Sequence, residues 1–376
     1  MSDISDNIIS LLSEKKLHEA RNLIQIELQK NYDLDLIAML ADSYWQERNY
    51  NKAISLINEA NLDSELNKPH FIRTFILYNL IQCKLDEVLE FNNKLISNSS
   101  ILNTELLSVH STNTLIHFLH NNTPALSESM KLSNPILKNL IVRLMPENSV
   151  PGMLRTYINY INRILNFRSE KPSYYNNSSN REVYIIGDSH SISSAFVTHN
   201  DIKFVPKLIF GTKAWHLNQS LNHPSVQSLK NAIQEIPSSA VALFNFGEID
   251  CRANEHIFTL AKQGVNLNQL LSATILPYID TVTKLSKDLD FKICNVPAPS
   301  KEAINKLIKQ RSMTQEEIPL YIEMIRKFNS TIHETINSEN IIDLYKATKD
   351  SDGLAIPGVH IDYVHLKPDI VPNILA

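Results

Sequence analysis

The sequence predicts a two-part molecule: an all-α region followed by an α/β region. Three observations predict it. All seven glycines of the 376-residue chain lie at Gly152 or later, and a glycine-free stretch suits stacked helices, because a helix interior disfavours glycine by about 1 kcal/mol. Before residue 168 the apolar residues recur at helical spacing. After residue 181, short β-branched and aromatic runs alternate with helical stretches, the pattern of an α/β domain. These give a helical domain over 1–168, a linker over 169–181 and an α/β domain over 182–376.

In the first part, residues 34–67 read as a helix–turn–helix unit. Leu40, Ala41 and Tyr44 share one helical face, and Ala53, Ile57 and Ala60 share the next. Ala20 and Ile24 stand one unit earlier, and Tyr78, Leu85, Val88 and Phe91 one unit later. This order of small and bulky residues, with a period of about 34, resembles the tetratricopeptide repeat. The match decays on both sides, where Thr74 and Phe75 replace the Leu–Ala pair, and further helices at about 102–119 and 134–145 carry no signature. A generic helical bundle is the alternative. A repeat stack would present a concave surface to a protein partner. Residues 151–168 continue as an amphipathic helix, and the Ser-, Asn- and Pro-rich run SEKPSYYNNSSNR then reads as a linker or surface loop.

Composition narrows the function classes. The net charge is −4 without a dense Lys/Arg run, which argues against nucleic acid as a partner. No stretch approaches the roughly 20 apolar residues of a membrane span, and the acidic start lacks the features of a secretory signal. Cys83, Cys251 and Cys294 are too few for a disulfide framework, so a cytoplasmic location is expected.

The second part begins with a strand at Val183–Ile186, directly followed by Gly187-Asp188-Ser189-His190. A serine where a strand gives way to a helix stands exposed at a sheet edge, beside N–H groups that favour a developing negative charge. Taken alone, these are also ordinary turn residues. Near the C-terminus lies Asp362-Tyr363-Val364-His365-Leu366. Asp and His three residues apart can face one point, the carboxylate fixing the imidazole while its other nitrogen faces the serine. Further strands are expected at 204–209, 240–246, 291–296 and 340–344.

Together, the GDS block after the first strand and the terminal D-x-x-H resemble the SGNH (GDSL-like) hydrolase superfamily over residues 181–376. The resemblance implies a three-layer flavodoxin-like fold with a mostly parallel sheet, and Ser189, Asp362 and His365 as a catalytic triad. It implies an oxyanion hole from the Ser189 and Gly211 backbones, and a third block at Gly247-Glu248-Ile249-Asp250. There the family's donor Asn is replaced by Ile249. Losing such a donor costs about 10²–10³ in rate, so either a nearby group, Asn245 or Arg252, replaces it, or activity is weak, or the site only binds. The GEIDCR segment is similar to a divergent subgroup linked to bacterial surface glycans. An acylated small molecule or glycan is therefore the implied substrate, to be cleaved by an esterase through an acyl-serine. A catalytically weak or inactive glycan- or protein-binding domain, or an O-acyltransferase, is the alternative.

Asp188, His190, Gly247, Glu248, Asp250, Arg252 and Trp215 are expected around the substrate. Some have a second reading: His190 as a helix cap, Asp250 and Arg252 as an ion pair, Trp215 and His216 as core. Cys251 reads as a packed thiol. Neither a cofactor nor a metal is expected, since Glu248, Asp250, His256 and His360 lack a defensible ligand spacing.

Overall fold

The computed structural model describes residues 3–62, 66–97, 103–138, 149–175, 179, 181–218 and 222–375. They divide into two compact units, Met1–Ile158 and Asn159–Ala376.

The first unit consists of helix pairs: α1 (Asp3–Ser13) with α2 (Leu17–Lys30), α3 (Leu34–Gln46) with α4 (Tyr50–Asn58), α5 (Pro69–Ile81) with α6 (Leu85–Ile96), and α7 (Asn103–Leu119) with α8 (Thr123–Leu137). Small residues allow the close approach: Ala20, Ala38, Ala41 and Ala53 are fully buried beside Ile24 and Ile57. Ala60 departs from its expected place, because α4 ends at Asn58 and leaves it half-buried in the following turn. The helix expected over about 134–145 falls largely outside the described residues.

Each pair turns in the same way. Lys15, Arg48, Cys83 and Asn121 adopt left-handed conformations, with φ between 52° and 63°. After each, the next N–H reaches back to a helical carbonyl five residues earlier: Lys16 to Leu11, Asn49 to Tyr44, Lys84 to Asn79 and Asn122 to His117, each at 2.9 Å. This closure usually employs glycine. Here residues with side chains take it, so the four helix pairs turn without glycine.

Helix α9 (Val150–Glu170) covers the stretch expected over 151–168. The division between the units falls inside it, at Ile158/Asn159, rather than in the expected linker. The described part of that linker contains a 3-10 turn at Pro172–Tyr174. Tyr174 and Tyr175 pack against the core of the α/β unit, so this segment is not a free connector.

The second unit is built on one six-stranded sheet among the described residues. Its strands are β1 (Arg181–Gly187), β2 (Thr198–His199), β3 (Ile202–Leu208), β4 (Val241–Asn245), β5 (Asp290–Cys294) and β6 (Ile341–Ile342), in the order β2-β3-β1-β4-β5-β6. Every pairing is parallel except β2 with β3. Unexpected from the sequence was β2, which turns back onto β3 through Asn200 and Asp201, both at positive φ. Asn and Asp tolerate that geometry better than other side chains. Val183, Ile185, Phe204, Leu243, Cys294 and Leu366 form a core on the sheet. Helices α10 (Pro224–Gln234), α11 (His256–Lys262), α12 (Leu267–Leu285), α13 (Lys301–Lys309) and α14 (Ile318–Thr335) lie between the later strands, and α15 (Leu344–Thr348) and α16 (Ile370–Leu375) close the unit.

The chain runs from β1 outward to β3 and then returns to β4 on the other side of β1. Such a reversal of direction is where open α/β sheets commonly place a crevice, at the carboxyl ends of the strands. Gly187 is aligned with Leu208 of β3 and Asn245 of β4, so the three strand ends are level. A Cβ on Gly187 would come within 2.2 Å of the Asn245 carbonyl oxygen, so only glycine fits this approach.

Candidate active site

At the end of β1 the chain does not enter an α-helix, as the sequence suggests, but a single 3-10 turn over Ser189–Ile192. Asp188 caps it, its Oδ1 accepting from the His190 N–H at 2.8 Å. The turn holds Ser189 half-exposed at the sheet edge, but so short an element carries little of a helix dipole.

His365 arrives from the C-terminal segment. His360 and Leu366 form an antiparallel bridge, and the Ile361 N–H donates to the His365 carbonyl at 2.8 Å, making a tight loop. Leu366, buried in the sheet core, anchors it. Inside the loop, Asp362 Oδ1 accepts from the Val364 and His365 N–H groups at 2.8 and 2.7 Å. Its Oδ2 lies 2.7 Å from His365 Nδ1, and His365 Nε2 lies 2.9 Å from Ser189 Oγ. A carboxylate only accepts, so Nδ1 carries the ring proton and Nε2 accepts from the serine hydroxyl.

Burial would raise the carboxyl pKa of Asp362, but hydrogen bonds from His365 and the loop amides hold it well below the usual range. Burial lowers the pKa of His365, with Asp362 opposing. The resting site thus pairs a carboxylate with a neutral imidazole. Such a relay can take a proton from a serine hydroxyl and stabilise the resulting imidazolium.

Gly211 lies in the turn after β3, exposed, at φ +63°, with nothing within 4 Å of an added Cβ. Its N–H has no hydrogen-bond acceptor among the described residues. Gly247 follows β4 at φ +111°. A Cβ there would press on the buried Phe328 ring at 2.8 Å, so this turn requires glycine twice over. Ile249 is half-buried in the next 3-10 turn, and its side chain has nothing to donate. Asn245, at the end of β4, is buried, and no described residue hydrogen-bonds to its amide.

Of the residues expected around the substrate, Asp188, His190 and Asp250 are buried, while Glu248, Arg252 and Trp215 are partly exposed. Asp250 does not pair with Arg252. Its two oxygens accept from the Ala214 and Trp215 N–H groups at 2.7 and 3.0 Å. It thereby ties the turn after β4 to the loop that follows Gly211, and burial pushes its carboxyl up to about 7. Arg252 is clamped by Glu248, its Nε 3.0 Å and its Nη2 2.6 Å from Oε2. His190 is no cap: its Nε2 stands 3.2 Å from Glu248 Oε2, without hydrogen-bond alignment. Burial opposes the His190 cation, yet Glu248 and Asp188 outweigh it and raise the pKa. Burial also raises Glu248, but Arg252 and His190 hold its carboxyl well below the ordinary value. Asp188 is 1% exposed, and burial pushes it up to about 6. Trp215 is half-buried against His256.

A cavity of about 580 Å³ adjoins the His365 loop, bordered by Arg163, Ser300, Lys301, Asp350, His360 and Asp362 but not by Ser189. Among the described residues, no group of three or more His, Cys, Asp or Glu is arranged to hold a metal, and no helix is long and apolar enough to cross a membrane. Sequence reasoning missed Tyr160. Its ring lies against His365, and only an amphipathic pattern marked its helix.

No protein-family model matches the chain, and no curated protein does. A solved structure from Streptococcus pneumonia, provisionally described as a platelet activating factor, is similar over 59% of this chain and 96% of its own. The identity is 14% and the TM-score 0.35. A likeness at that level bears on neither the fold nor the chemistry.

Proposed function

We propose that the C-terminal unit is a serine esterase of the SGNH type, acting through an acyl-serine. The observation that carries this reading is the unbroken relay from Ser189 Oγ through His365 to Asp362, with contacts of 2.9 and 2.7 Å. Ser189 Oγ attacks the ester carbonyl while His365 Nε2 takes its proton. The imidazolium, held by Asp362, then protonates the leaving alkoxide. Water completes the cycle: its proton goes to His365 as its oxygen attacks the acyl carbon, and His365 then returns that proton to the departing Ser189 Oγ. The Ser189 and Gly211 N–H groups are the assigned oxyanion donors, with the Asn245 amide in reserve.

The strand order supports a flavodoxin-like reading. Without the antiparallel edge β2, it follows the 2-1-3-4-5 pattern whose crevice lies beside the first strand. Helix pairs beginning at Asp3, Leu34, Pro69 and Asn103 favour tetratricopeptide-like repeats, and hence a protein partner, over a generic bundle. Free thiols at Cys83, Cys251 and Cys294 suit a cytoplasmic location. The substrate class, an acylated small molecule or glycan, is drawn from the sequence resemblance alone.

Ile249 favours a second reading, a binding domain with little turnover, because the missing donor weakens oxyanion stabilisation. Hydrolysis of p-nitrophenyl acetate separates the two. The esterase reading expects turnover that falls at least about 10³-fold in Ser189→Ala. Equal rates for the two proteins would contradict it. An added sugar that diverts the acyl group from water would make the enzyme an acyltransferase.

A further inference from the structure

The C-terminal half of α9 places a side chain directly on the histidine of the relay. Tyr160, 2% exposed, lies flat against the His365 imidazole, with ring centroids 3.8 Å apart and planes 14° from parallel. Its hydroxyl stands 2.6 Å from Ser193 Oγ. Ser193 immediately follows the 3-10 turn that begins at Ser189. Three residues further along the helix, Arg163 Nη1 donates to the carbonyl of Ile361 at 2.9 Å, next to Asp362. One helix thus holds the histidine ring, the loop that carries it and the segment that carries the serine.

We infer that Tyr160 is a positioning residue for His365, acting through its stacked ring. The inference rests on the esterase reading and deepens it. An imidazole hydrogen-bonded at both nitrogens can still tilt about its Cβ–Cγ bond, and a misplacement of about 1 Å can cost 10²-fold in rate. A parallel phenol 3.8 Å away removes that freedom on one face and keeps water from it. Because the Tyr160 hydroxyl is anchored at Ser193, the ring is fixed relative to the serine and not only to the histidine. The negative face of the phenol also favours the imidazolium that forms as the serine proton moves. His190, the other ring near His365, is tilted by 41° at 4.7 Å and cannot substitute for a parallel stack.

The full-length chain and two variants test this. Tyr160→Phe keeps the ring and loses the hydroxyl, and Tyr160→Leu removes the ring. Active sites are titrated with a fluorophosphonate, so that kcat refers to competent sites only. Tyr160→Phe is expected within about threefold of the wild-type kcat. Tyr160→Leu is expected to lose about 10- to 100-fold in kcat while KM stays within twofold. Wild-type kcat per titrated site in Tyr160→Leu would overturn the inference, as would a loss in Tyr160→Phe as large as that expected of Tyr160→Leu. So would a Leu variant that loses only titratable sites, since that marks a merely structural role.

A second readout is independent of turnover: the downfield proton resonance of the His365 Nδ1–H bonded to Asp362. It should persist in wild type and Tyr160→Phe and broaden by solvent exchange in Tyr160→Leu. An unchanged resonance in Tyr160→Leu overturns the positioning role. A wild type with this resonance but no esterase turnover overturns the esterase reading and leaves the ring contact to be judged by the resonance.

Discussion

The His365 imidazole is buried beneath Tyr160 and beside His190, and both burial and the neighbouring charge lower its pKa, against the pull of Asp362. A base must be neutral to act, so its activity is lost as pH falls through its pKa. The expected kcat/KM rises with pH along an acid limb whose midpoint lies below about 6.5, the ordinary histidine value. A pH–rate profile with its midpoint clearly above that value would assign the limb to another group. At this scale the meeting of Ser189, His365 and Asp362 was legible, because each is marked by the motif that contains it. Asp250 was not. Its neighbour in sequence, Arg252, suggested an ion pair, yet the carboxylate bonds to the amides of Ala214 and Trp215. Contacts across about 35 residues to backbone groups leave no side-chain signature.

The elements that present these residues depend on turns more than on helices. Gly247 begins the turn after β4 at φ +111°, against the buried ring of Phe328. Gly247→Ala is therefore expected to destabilise the protein by about 2–4 kcal/mol, combining backbone strain with overpacking. Gly211→Ala has open space at its Cβ and should cost only the left-handed penalty of about 1–2 kcal/mol. Denaturant unfolding of the two variants checks the order, and equal costs would contradict it. The long β1, β3, β4 and β5 strands were readable from their apolar runs. The two-residue β2 was not, although Asn200-Asp201 carried its turn signal. The helix expected after Ser189 is only a 3-10 turn, because local composition suggests a helix without fixing its length.

At the level of the whole molecule, the change in glycine usage located two architectures but not their division. The Ser- and Asn-rich run looked like the boundary, whereas the second unit begins earlier, at Asn159. Amphipathicity marks Tyr160, Ile161 and Ile164 as buried without telling which core they join. A domain cut at residue 182 would lack both Tyr160 and Arg163, and with them their contacts to His365 and Ile361. The relay at the end of β1 is tested most directly by mass-spectrometric mapping of the intact chain after reaction with a fluorophosphonate. One phosphonyl adduct per chain is expected, on Ser189, abolished in Ser189→Ala and strongly slowed in His365→Ala. No adduct on the wild-type chain, or an adduct that persists in Ser189→Ala, would contradict it.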